Sequence, residues 1–359
     1  MYISELHLYQ FKNFNDKKLQ FSQKINCFVG KNGAGKTNIL DAIHYLSLTK
    51  SYLQHSDLAN IQFGKDFFWI EGNFINNTQD DLIKILVQQN QKKIIKKNNK
   101  SYEKLSEHIG KYISVIISPY DANLILEGSE LRRKFLDGMI SQLNINYLHQ
   151  ILQYNKILLQ RNTLLKYFTA NQTFEKEMLE IYDAQLIEFG NTIHQERKNF
   201  ITDFIPKFKE YYQKISSENE EVSLEYQSQL NEDNLSELLK TNLPKDRISG
   251  FTQNGIHKDD IEFMIHQKPI KKFGSQGQQK TFLIALKLAQ LSIFTEKTQQ
   301  IPILLLDDIF DKLDQNRVKK LIELVNEEHF GQIFITDTDK HRTENLVKQI
   351  DENSLIIEL

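Results

Sequence analysis

Short apolar segments separated by polar turns fill the first 120 residues of the chain. They lie at residues 3–8, 25–29, 67–74, 83–87, 94–95 and 112–117. Apolar runs of this length, bounded by turn residues, predict β-strands. After Thr37 the apolar residues Ile39, Ala42, Ile43 and Leu46 recur at intervals of three and four. This spacing predicts a helix that follows a strand directly.

The middle of the chain, from about residue 129 to 215, has the apolar periodicity of amphipathic helices. The first series runs over residues 136–158 and predicts one long helix. Two further series run over residues 178–193 and 201–215, and Pro206 predicts a kink. Because the charges do not follow a heptad, a compact helical arm is favoured over a coiled-coil rod.

The last third of the chain returns to mixed strands and helices. Strands are predicted at residues 222–226, 261–265, 301–306 and 333–336. Residues 282–294 are apolar on almost every side, as in a helix buried inside a domain. The pattern therefore predicts an α/β head formed by residues 1–120 and 216–359, interrupted by an α-helical arm at residues 121–215.

Composition excludes several classes of protein. The 359 residues are 40% hydrophobic and 26% charged, which excludes collagen-like, wholly disordered and disulfide-scaffold chains. The single cysteine, Cys27, permits neither an intrachain disulfide nor a zinc cluster, so a reducing cytoplasm is expected. No apolar run has the length of a signal peptide core or a membrane span. The net charge of -2 restricts any nucleic-acid surface to a local patch.

Three glycines within six residues form the strongest chemical signal in the chain. Gly30-Lys31-Asn32-Gly33-Ala34-Gly35-Lys36-Thr37 matches the P-loop pattern and lies between a predicted strand and a predicted helix. In such a loop, backbone N–H groups surround a phosphate. We therefore predict that Lys36 contacts the β and γ phosphates of ATP and that Thr37 coordinates Mg²⁺. The alternative is a glycine-rich turn that only caps a helix.

Two acids end the predicted strand at residues 303–306. Asp307 is expected to hold Mg²⁺ or its water, and Asp308 to orient or deprotonate the water that attacks the γ phosphate. We therefore assign Lys36 and Asp308 to catalysis. The alternative is that both acids merely end a buried strand.

A second candidate phosphate-binding end precedes the predicted buried helix. Ser275, Gly277 and Gln278 bring a hydroxyl group and backbone N–H groups to a helix N-terminus. One nucleotide has no evident use for two such ends in one chain. The simplest interpretation is that these residues close over ATP held by another copy. A plain serine N-cap is the alternative.

These motifs, taken together, resemble the RecF DNA repair proteins within the SMC/ABC class of ATPases. The resemblance covers nearly the whole chain and rests on these segments, in order: Phe11 to Phe14, residues 30–43, Ser118-Pro119, Glu130 to Asp137, Gly255 to Asp260, Ser275 to Lys280, residues 304–314 and Ile335 to Thr338. A P-loop alone is common, whereas this ensemble with a short helical insert is specific.

The resemblance implies an ABC-type P-loop ATPase head with a helical arm, and it adds Lys12 and Asn38 to the nucleotide site. It also implies an ATP-driven head-to-head homodimer with slow, DNA-stimulated hydrolysis. The implied partners are single-stranded or gapped duplex DNA, together with RecR and RecO in loading RecA at gaps. No membrane partner is implied.

The chain departs from the family pattern at several positions. Lys12 and Asp41 stand where the family usually has Arg and Glu, and both keep the charge. Ile256 and Lys258 replace the usual Pro and Arg. Leu53 stands where an Arg is usual, so any DNA or nucleotide contact made by that arginine is in doubt.

Two basic segments are candidates for contacts with the DNA backbone. Six lysines and one glutamate give +5 over residues 92–104, around a turn predicted at Asn98-Asn99. Arg132, Arg133 and Lys134, at the start of the helical arm, form the second segment. Solvated faces are the alternative for both. The lysines are Lys92, Lys93, Lys96, Lys97, Lys100 and Lys104.

Three other functions compete with this interpretation. A head of the overcoming-lysogenization-defect type needs a nuclease domain, for which we expect no room in the chain. A transporter ATPase subunit normally has a His where this chain has the segment Thr336 to Thr338. A non-enzymatic DNA scaffold would not turn over ATP. His257, Asp259 and Asp260 are interpreted as a turn and strand start within the head, and no metal site is assigned to them.

Overall fold

The computed structural model describes residues 1–76, 80–216, 220–308, 331–348 and 354–359, together with Lys320 and Leu324. The chain divides into two compact units. The first unit comprises residues 1–122, 210–219 and 275–359, and the second comprises residues 123–209 and 220–274. None of the described helices is long and apolar enough to cross a membrane.

A parallel sheet lies at the centre of the first unit. Its strands, in spatial order, are β14 (Leu355–Glu358), β3 (Ile25–Val29), β13 (Ile333–Asp337), β12 (Ile303–Leu306) and β8 (Ser114–Ile117). Every residue of the four strands other than β14 is buried. Strands covered on both faces are continuous apolar runs, which is why the sequence pattern located them correctly.

An antiparallel sheet forms the other layer of the first unit. It contains β2 (Phe14–Gln20), β1 (Tyr2–Phe11), β4 (Phe67–Ile75), β5 (Asp80–Gln88), β6 (Ile94–Lys97) and β7 (Lys100–Ser101), in that spatial order. Along β4 and β5 buried positions alternate with partly exposed ones, because one face packs on the core. The sequence pattern missed β2, which buries only Phe14 and Leu19.

Three described helices complete the first unit. They are α1 (Lys36–Leu48), α8 (Gln276–Thr298) and α9 (Lys340–Lys348). Helix α8 is buried almost without interruption from Thr281 to Phe294, as its all-round apolar sequence predicts.

The second unit combines helices with a small antiparallel sheet. Its elements are α3 (Ser129–Leu143), α4 (Ile145–Asn171), most of α5 (Lys176–Ile215), α6 (Leu235–Ser249), α7 (Ile270–Phe273) and strands β9 (Val222–Gln227), β10 (Asp260–Ile265) and β11 (Lys268–Pro269). The short helix α2 (Ala122–Leu126) begins at the boundary between the units.

The prediction of one helix over residues 136–158 is wrong. Asn144 has an extended backbone, and its side-chain oxygen accepts from the N–H groups of Asn146 and Tyr147. This N-cap ends α3 and starts α4, because it satisfies donors that a helix start leaves unpaired. The two later apolar series belong to a single helix, α5, which continues through Pro206.

The segment 220–274 belongs to the second unit, whereas its apolar pattern assigned it to the head. Ion pairs join this segment to the helices: the buried Arg197 binds Asp259 (Nη1 to Oδ2, 2.7 Å), and the part-buried Arg132 binds both carboxylate oxygens of Asp260 (2.7 and 2.9 Å). Buried charges require such partners. The turn and strand start predicted at residues 257–260 are present, as a 3₁₀ turn at Ile256–Lys258 followed by β10.

Candidate nucleotide site

The glycine-rich loop runs from the end of β3 to the start of α1, and its backbone requires glycine. Gly33 and Gly35 have φ angles of +86° and +104°, which lie in the left-handed region. A Cβ atom on Gly35 would also lie 2.5 Å from Asn13 Nδ2 and 2.6 Å from Phe14 Cζ. The loop is therefore held in this shape both by its own backbone and by the turn after β1.

Asn13 ties the loop to the first turn of α1. Its Nδ2 donates to the carbonyl oxygen of Ala34 (3.3 Å), and its Oδ1 accepts from Nδ2 of Asn38 (2.8 Å). The sequence motif at residues 11–14 contains Asn13, but nothing in that short polar turn marked it as a site residue. Only the fold brings the turn beside residues that lie more than 20 positions later.

Lys36 is buried, and its ammonium group lies across its own loop. Nζ donates to the carbonyl oxygens of Gly30 (2.7 Å) and Lys31 (3.0 Å). The only lysine of the P-loop helix start thus faces the region that the loop encloses. This is the region in which the sequence pattern expects a phosphate.

A cluster of three side chains and one backbone N–H group joins the loop to two strands of the parallel sheet. Thr37 Oγ1 and Thr336 Oγ1 each donate to Asp307 Oδ1 at 2.9 Å. The backbone N–H of Asp308 in turn donates to Thr336 Oγ1 at 2.9 Å. The predicted residues Thr37, Asp307 and Asp308 therefore come together. Thr336 was not predicted as a site residue, because its partners are 28 residues or more away in the chain.

The two acids differ in their surroundings. Asp307 is buried, and this burial raises the pKa of its carboxyl group, while hydrogen bonds from Thr336 and Thr37 act in the opposite direction. Asp308 has a left-handed backbone (φ +47°), and its Oδ1 is buried without a hydrogen-bond partner among the described residues. Residues 309–314, which complete the acidic motif, lie outside the described residues.

A cleft of about 580 Å³ opens beside this cluster in the first unit. Lys12, Thr37, Asn38, Asp307 and Asp308 line it, so residues from both ends of the chain share one surface. A second cavity of about 300 Å³ adjoins the same two acids. Its other walls are Ile117 at the end of β8, residues 118, 119, 121 and 122 that follow it, and Lys280, Leu283 and Ile284 of α8.

Lys12 and Asp41, two of the departures from the family pattern, contact each other. Lys12 Nζ lies 2.5 Å from Asp41 Oδ2, and Asp41 is fully buried. Asp41 also accepts from Ser51 Oγ and from the N–H of Tyr52, both at 2.6 Å. Asp41 and Lys12, which stand where the family usually has Glu and Arg, thus still form an ion pair. Leu53 lines the cleft nearby and contributes no charge to it.

Ser275 and Gln278 form a capping box at the start of α8. Ser275 Oγ accepts from the N–H of Gln278 (3.2 Å), and Gln278 Oε1 accepts from the N–H of Ser275 (2.7 Å). The N-cap expected as the alternative is therefore made. Ser275 is nevertheless exposed, and Gly277 follows it in the first turn. The cleft of this chain is lined by other residues.

The basic hairpin contains two kinds of lysine. Lys93 Nζ is largely buried and donates to Asp57 Oδ2 and to the carbonyl oxygen of Thr49, both at 2.6 Å. Lys97 Nζ pairs with Asp81 Oδ2 at 2.7 Å. Lys92 and Lys96 are exposed. Lys100 and Lys104 are exposed as well, so these four of the six lysines are presented to solvent as the backbone-binding hypothesis requires.

The predicted turn of this hairpin is present at Asn98 and Asn99, with φ angles of +50° and +66°.

The second basic segment is engaged within its own unit. Arg132 makes the two-pronged contact with Asp260, and Arg133 Nη1 donates to Ser129 Oγ (2.7 Å) and to the carbonyl oxygen of Asp259 (2.6 Å). These arginines hold the second unit together.

Comparisons with known proteins agree with this geometry. The model of the RecF/RecN/SMC N terminal domain matches residues 2–354. The chain is 51% identical to the DNA replication and repair protein RecF of Flavobacterium johnsoniae, over all of both chains. It is 48% identical to the protein of the same name from Parabacteroides distasonis, over 95% of this chain and 92% of that one.

Solved structures give the same result. A structure of the recombination mediator protein RecF-ATP in the RecFOR pathway is 33% identical, with a TM-score of 0.88 over 94% of this chain and 92% of that one. The Smc head domain of Pyrococcus furiosus is 20% identical, with a TM-score of 0.54 over 96% and 91%, and shows the fold alone. The ABC-type ATPase fold predicted from the sequence is thus confirmed. By sequence and by structure, the chain belongs to the RecF family.

Proposed function

We propose that this chain is an ATP-dependent protein of DNA replication and repair, in which ATP closes a homodimer on DNA and hydrolysis reopens it. The observation that carries the proposal is the convergence of Thr37, Asp307, Thr336 and Asp308 beside a P-loop. The relatives are named for DNA replication and repair, and a neighbouring structure is titled as an ATP complex.

The residues of the cleft fit a nucleoside triphosphate and the Mg²⁺ ion that accompanies it. The positive-φ glycines leave backbone N–H groups open to a phosphate, and Lys36 supplies a cation by exchanging its contacts to Gly30 and Lys31 for phosphate oxygens. Thr37 and Asp307 offer two adjacent oxygen ligands of the kind that Mg²⁺ prefers. Mg²⁺ held there would neutralise phosphate charge.

Asp308 is proposed to accept the proton of the attacking water. Its Oδ1, which has no hydrogen-bond partner in the part of the chain that the structure describes, provides the acceptor, and Thr336 fixes its backbone relative to Asp307. An aspartate has a shorter reach than the glutamate of the wider ABC class, which suits slow hydrolysis. The reaction would serve as a switch that limits how long the dimer stays closed.

The dimer itself would be completed by α8. We assign Ser275, Gly277 and Gln278 to the nucleotide held by the other copy, because Ser275 is exposed at a helix N-terminus and the chain's own cleft is lined by other residues. Lys92 and Lys96 are proposed to contact the backbone of single-stranded or gapped duplex DNA. RecR and RecO are proposed partners in the loading of RecA, and the cytoplasm is the proposed compartment.

One experiment tests nucleotide, dimer and DNA together. Sedimentation velocity is measured with and without ATP, Mg²⁺ and a gapped duplex. We expect a monomer without ATP, a dimer with ATP, and a faster species when gapped DNA is added. A monomer under all conditions would contradict the proposed ATP-dependent homodimer.

Measurable ATP turnover separates the proposal from a non-enzymatic DNA scaffold. The similarities in sequence and structure give no support to a transporter subunit or to a head of the overcoming-lysogenization-defect type.

A further inference from the structure

Helix α4 packs on the second unit through one face. The buried residues recur at three and four positions along its 27 residues. They include Tyr147, Ile151, Tyr154, Leu165 and Phe168. A surface helix with one buried face is expected to be polar on the opposite side.

The opposite side of α4 carries an apolar stripe instead. Ile145, Leu152 and Leu159 are 42%, 52% and 68% exposed. They are spaced by seven residues, and each seven-residue step falls about 20° short of two full turns, so the three side chains lie within about 40° of one another. Leu148, which is half-buried, falls on the same stripe. We call these four residues the α4 seam.

All the charged residues of this helix are positive. The sequence of α4 contains no Asp or Glu, although it carries Lys156, Arg161 and Lys166. Arg161 is buried and paired with Asp183 and Asp246, whereas Lys156 is exposed and lies between Leu152 and Leu159. On α4 itself the apolar stripe is flanked only by positive charge, and such a stripe complements an apolar stripe that is flanked by acids.

The width and chemistry of the α4 seam limit the kinds of partner that could bind it. A stripe of about 60° with a spacing of seven is the seam of a helix pair, whereas a membrane-surface helix has a broad apolar face. Contact with the DNA backbone uses polar and cationic groups, and aliphatic side chains add nothing to it. A second copy joined through the same seam would bring like charges together at Lys156.

We propose that the α4 seam docks an amphipathic helix of a partner protein, with aliphatic residues at alternating three- and four-residue intervals and acidic residues beside them. This inference does not depend on ATP, since every residue of the seam lies in the second unit. It therefore stands or falls separately from the proposed nucleotide switch.

The test uses the full chain and two synthetic helices of four heptads. Both probes have leucine at the a and d positions; one has glutamate and the other lysine at the e and g positions. Binding is followed by fluorescence anisotropy without nucleotide. We expect the acidic probe to bind at least tenfold more tightly than the basic one. The double variant L152Q/L159Q should weaken this binding at least tenfold, and K156E should reduce the preference for acid.

The matched control is I248Q, which changes an 83% exposed aliphatic side chain on α6 of the same unit. It should bind the acidic probe like the parent chain. All substituted positions are exposed, and circular dichroism checks that each variant is folded. Equal binding of the two probes, or binding that L152Q/L159Q leaves unchanged, would overturn the proposal.

Two further outcomes would replace it with another occupant. Seam-dependent dimerisation without ATP, seen by sedimentation and lost in L152Q/L159Q, would assign the face to a second copy. Seam-dependent binding to vesicles of phosphatidylcholine and phosphatidylglycerol, with no preference between the peptides, would assign it to a membrane surface.

Discussion

Replacing Thr336 with valine tests whether this residue positions the two acids of the cleft. The two side chains have nearly the same shape, so the change removes one hydroxyl and leaves core volume almost intact. That hydroxyl donates to Asp307 Oδ1 and accepts from the N–H of Asp308, both at 2.9 Å. T336V therefore breaks the link between the acids while Thr37 keeps its own contact to Asp307.

The size of the effect follows from those two bonds. A hydrogen bond to a charged group contributes about 1.5–3 kcal/mol, and a buried N–H left without an acceptor costs about 1–3 kcal/mol. We therefore expect T336V to lower the free energy of unfolding by roughly 2.5–6 kcal/mol, nearer the lower value because the N–H of Asp308 is only part-buried. If misplacement of Asp308 raises the barrier by about 1.4–2.7 kcal/mol, kcat for ATP falls about 10- to 100-fold. The KM should change little, because the P-loop contacts remain.

The pH dependence of turnover separates positioning from simple stability. The hydrogen bond from Thr336 lowers the pKa of Asp307 against the raising effect of burial. Its loss raises that pKa further, so Asp307 becomes protonated at higher pH as the solution is acidified. The acidic limb of the kcat profile should shift toward higher pH in T336V. T336S, which keeps the hydroxyl, should restore both the limb and most of kcat.

T343V is the matched control. Thr343 is also a buried threonine of the first unit, and its Oγ1 donates to Asp337 Oδ2 at 2.7 Å, on α9 rather than in the cleft. It should lose stability without a shift of the acidic limb. If T336V kept the parental kcat and pH profile while losing as much stability as T343V, Thr336 would be structural only.

Four other outcomes are expected. D308N should retain ATP and Mg²⁺ but trap the ATP-bound dimer, since an amide cannot accept the proton of water; hydrolysis at the parental rate would reject Asp308 as the base. S275R should abolish ATP-dependent dimerisation while the monomer still binds ATP, and K36A should lose ATP binding. Mixing S275R with K36A leaves one complete composite site and should restore some dimer or turnover, whereas loss of ATP binding by the S275R monomer would contradict the trans site. Replacing Lys92 and Lys96 with alanine should reduce the slope of log affinity for DNA against log salt by up to about 2, and a slope unchanged from the parent would return the hairpin to a solvated face. Burial lowers the pKa of His44 and His108 to about 4. Between about pH 6.5 and 4 these histidines are therefore protonated in the unfolded chain and neutral in the native chain. Unfolding free energy should therefore fall as pH drops from about 6.5 to 4, by on the order of 3 kcal/mol for each histidine, and urea titrations of H108Q should show a shallower decline.

The local chemistry of this protein is determined by its sequence alone. The P-loop at residues 30–37 is contiguous because a phosphate is enclosed by successive backbone groups, so its spacing is visible in one dimension. The strands of the parallel sheet are visible for a similar reason, since burial on both faces leaves them predominantly apolar, with isolated polar residues such as Asn26 and Thr336. The acids at 307 and 308 follow such a strand and were located with it.

Contacts between distant segments were decided only by the tertiary structure. Thr336 joins Asp307 and Asp308 because β12 and β13 are neighbours in the sheet, and no local pattern in a buried strand distinguishes that threonine. Lys93 and Lys96 belong to one charged run. Lys93 pairs with the carboxylate of Asp57, 36 residues away, and is largely buried, whereas Lys96 is exposed. The segment 220–274 has the alternation of a head strand, but it belongs to the second unit, where Arg197 and Arg132 bind its Asp259 and Asp260. Periodicity records which face of an element is covered, whereas the identity of the covering residues depends on the whole fold.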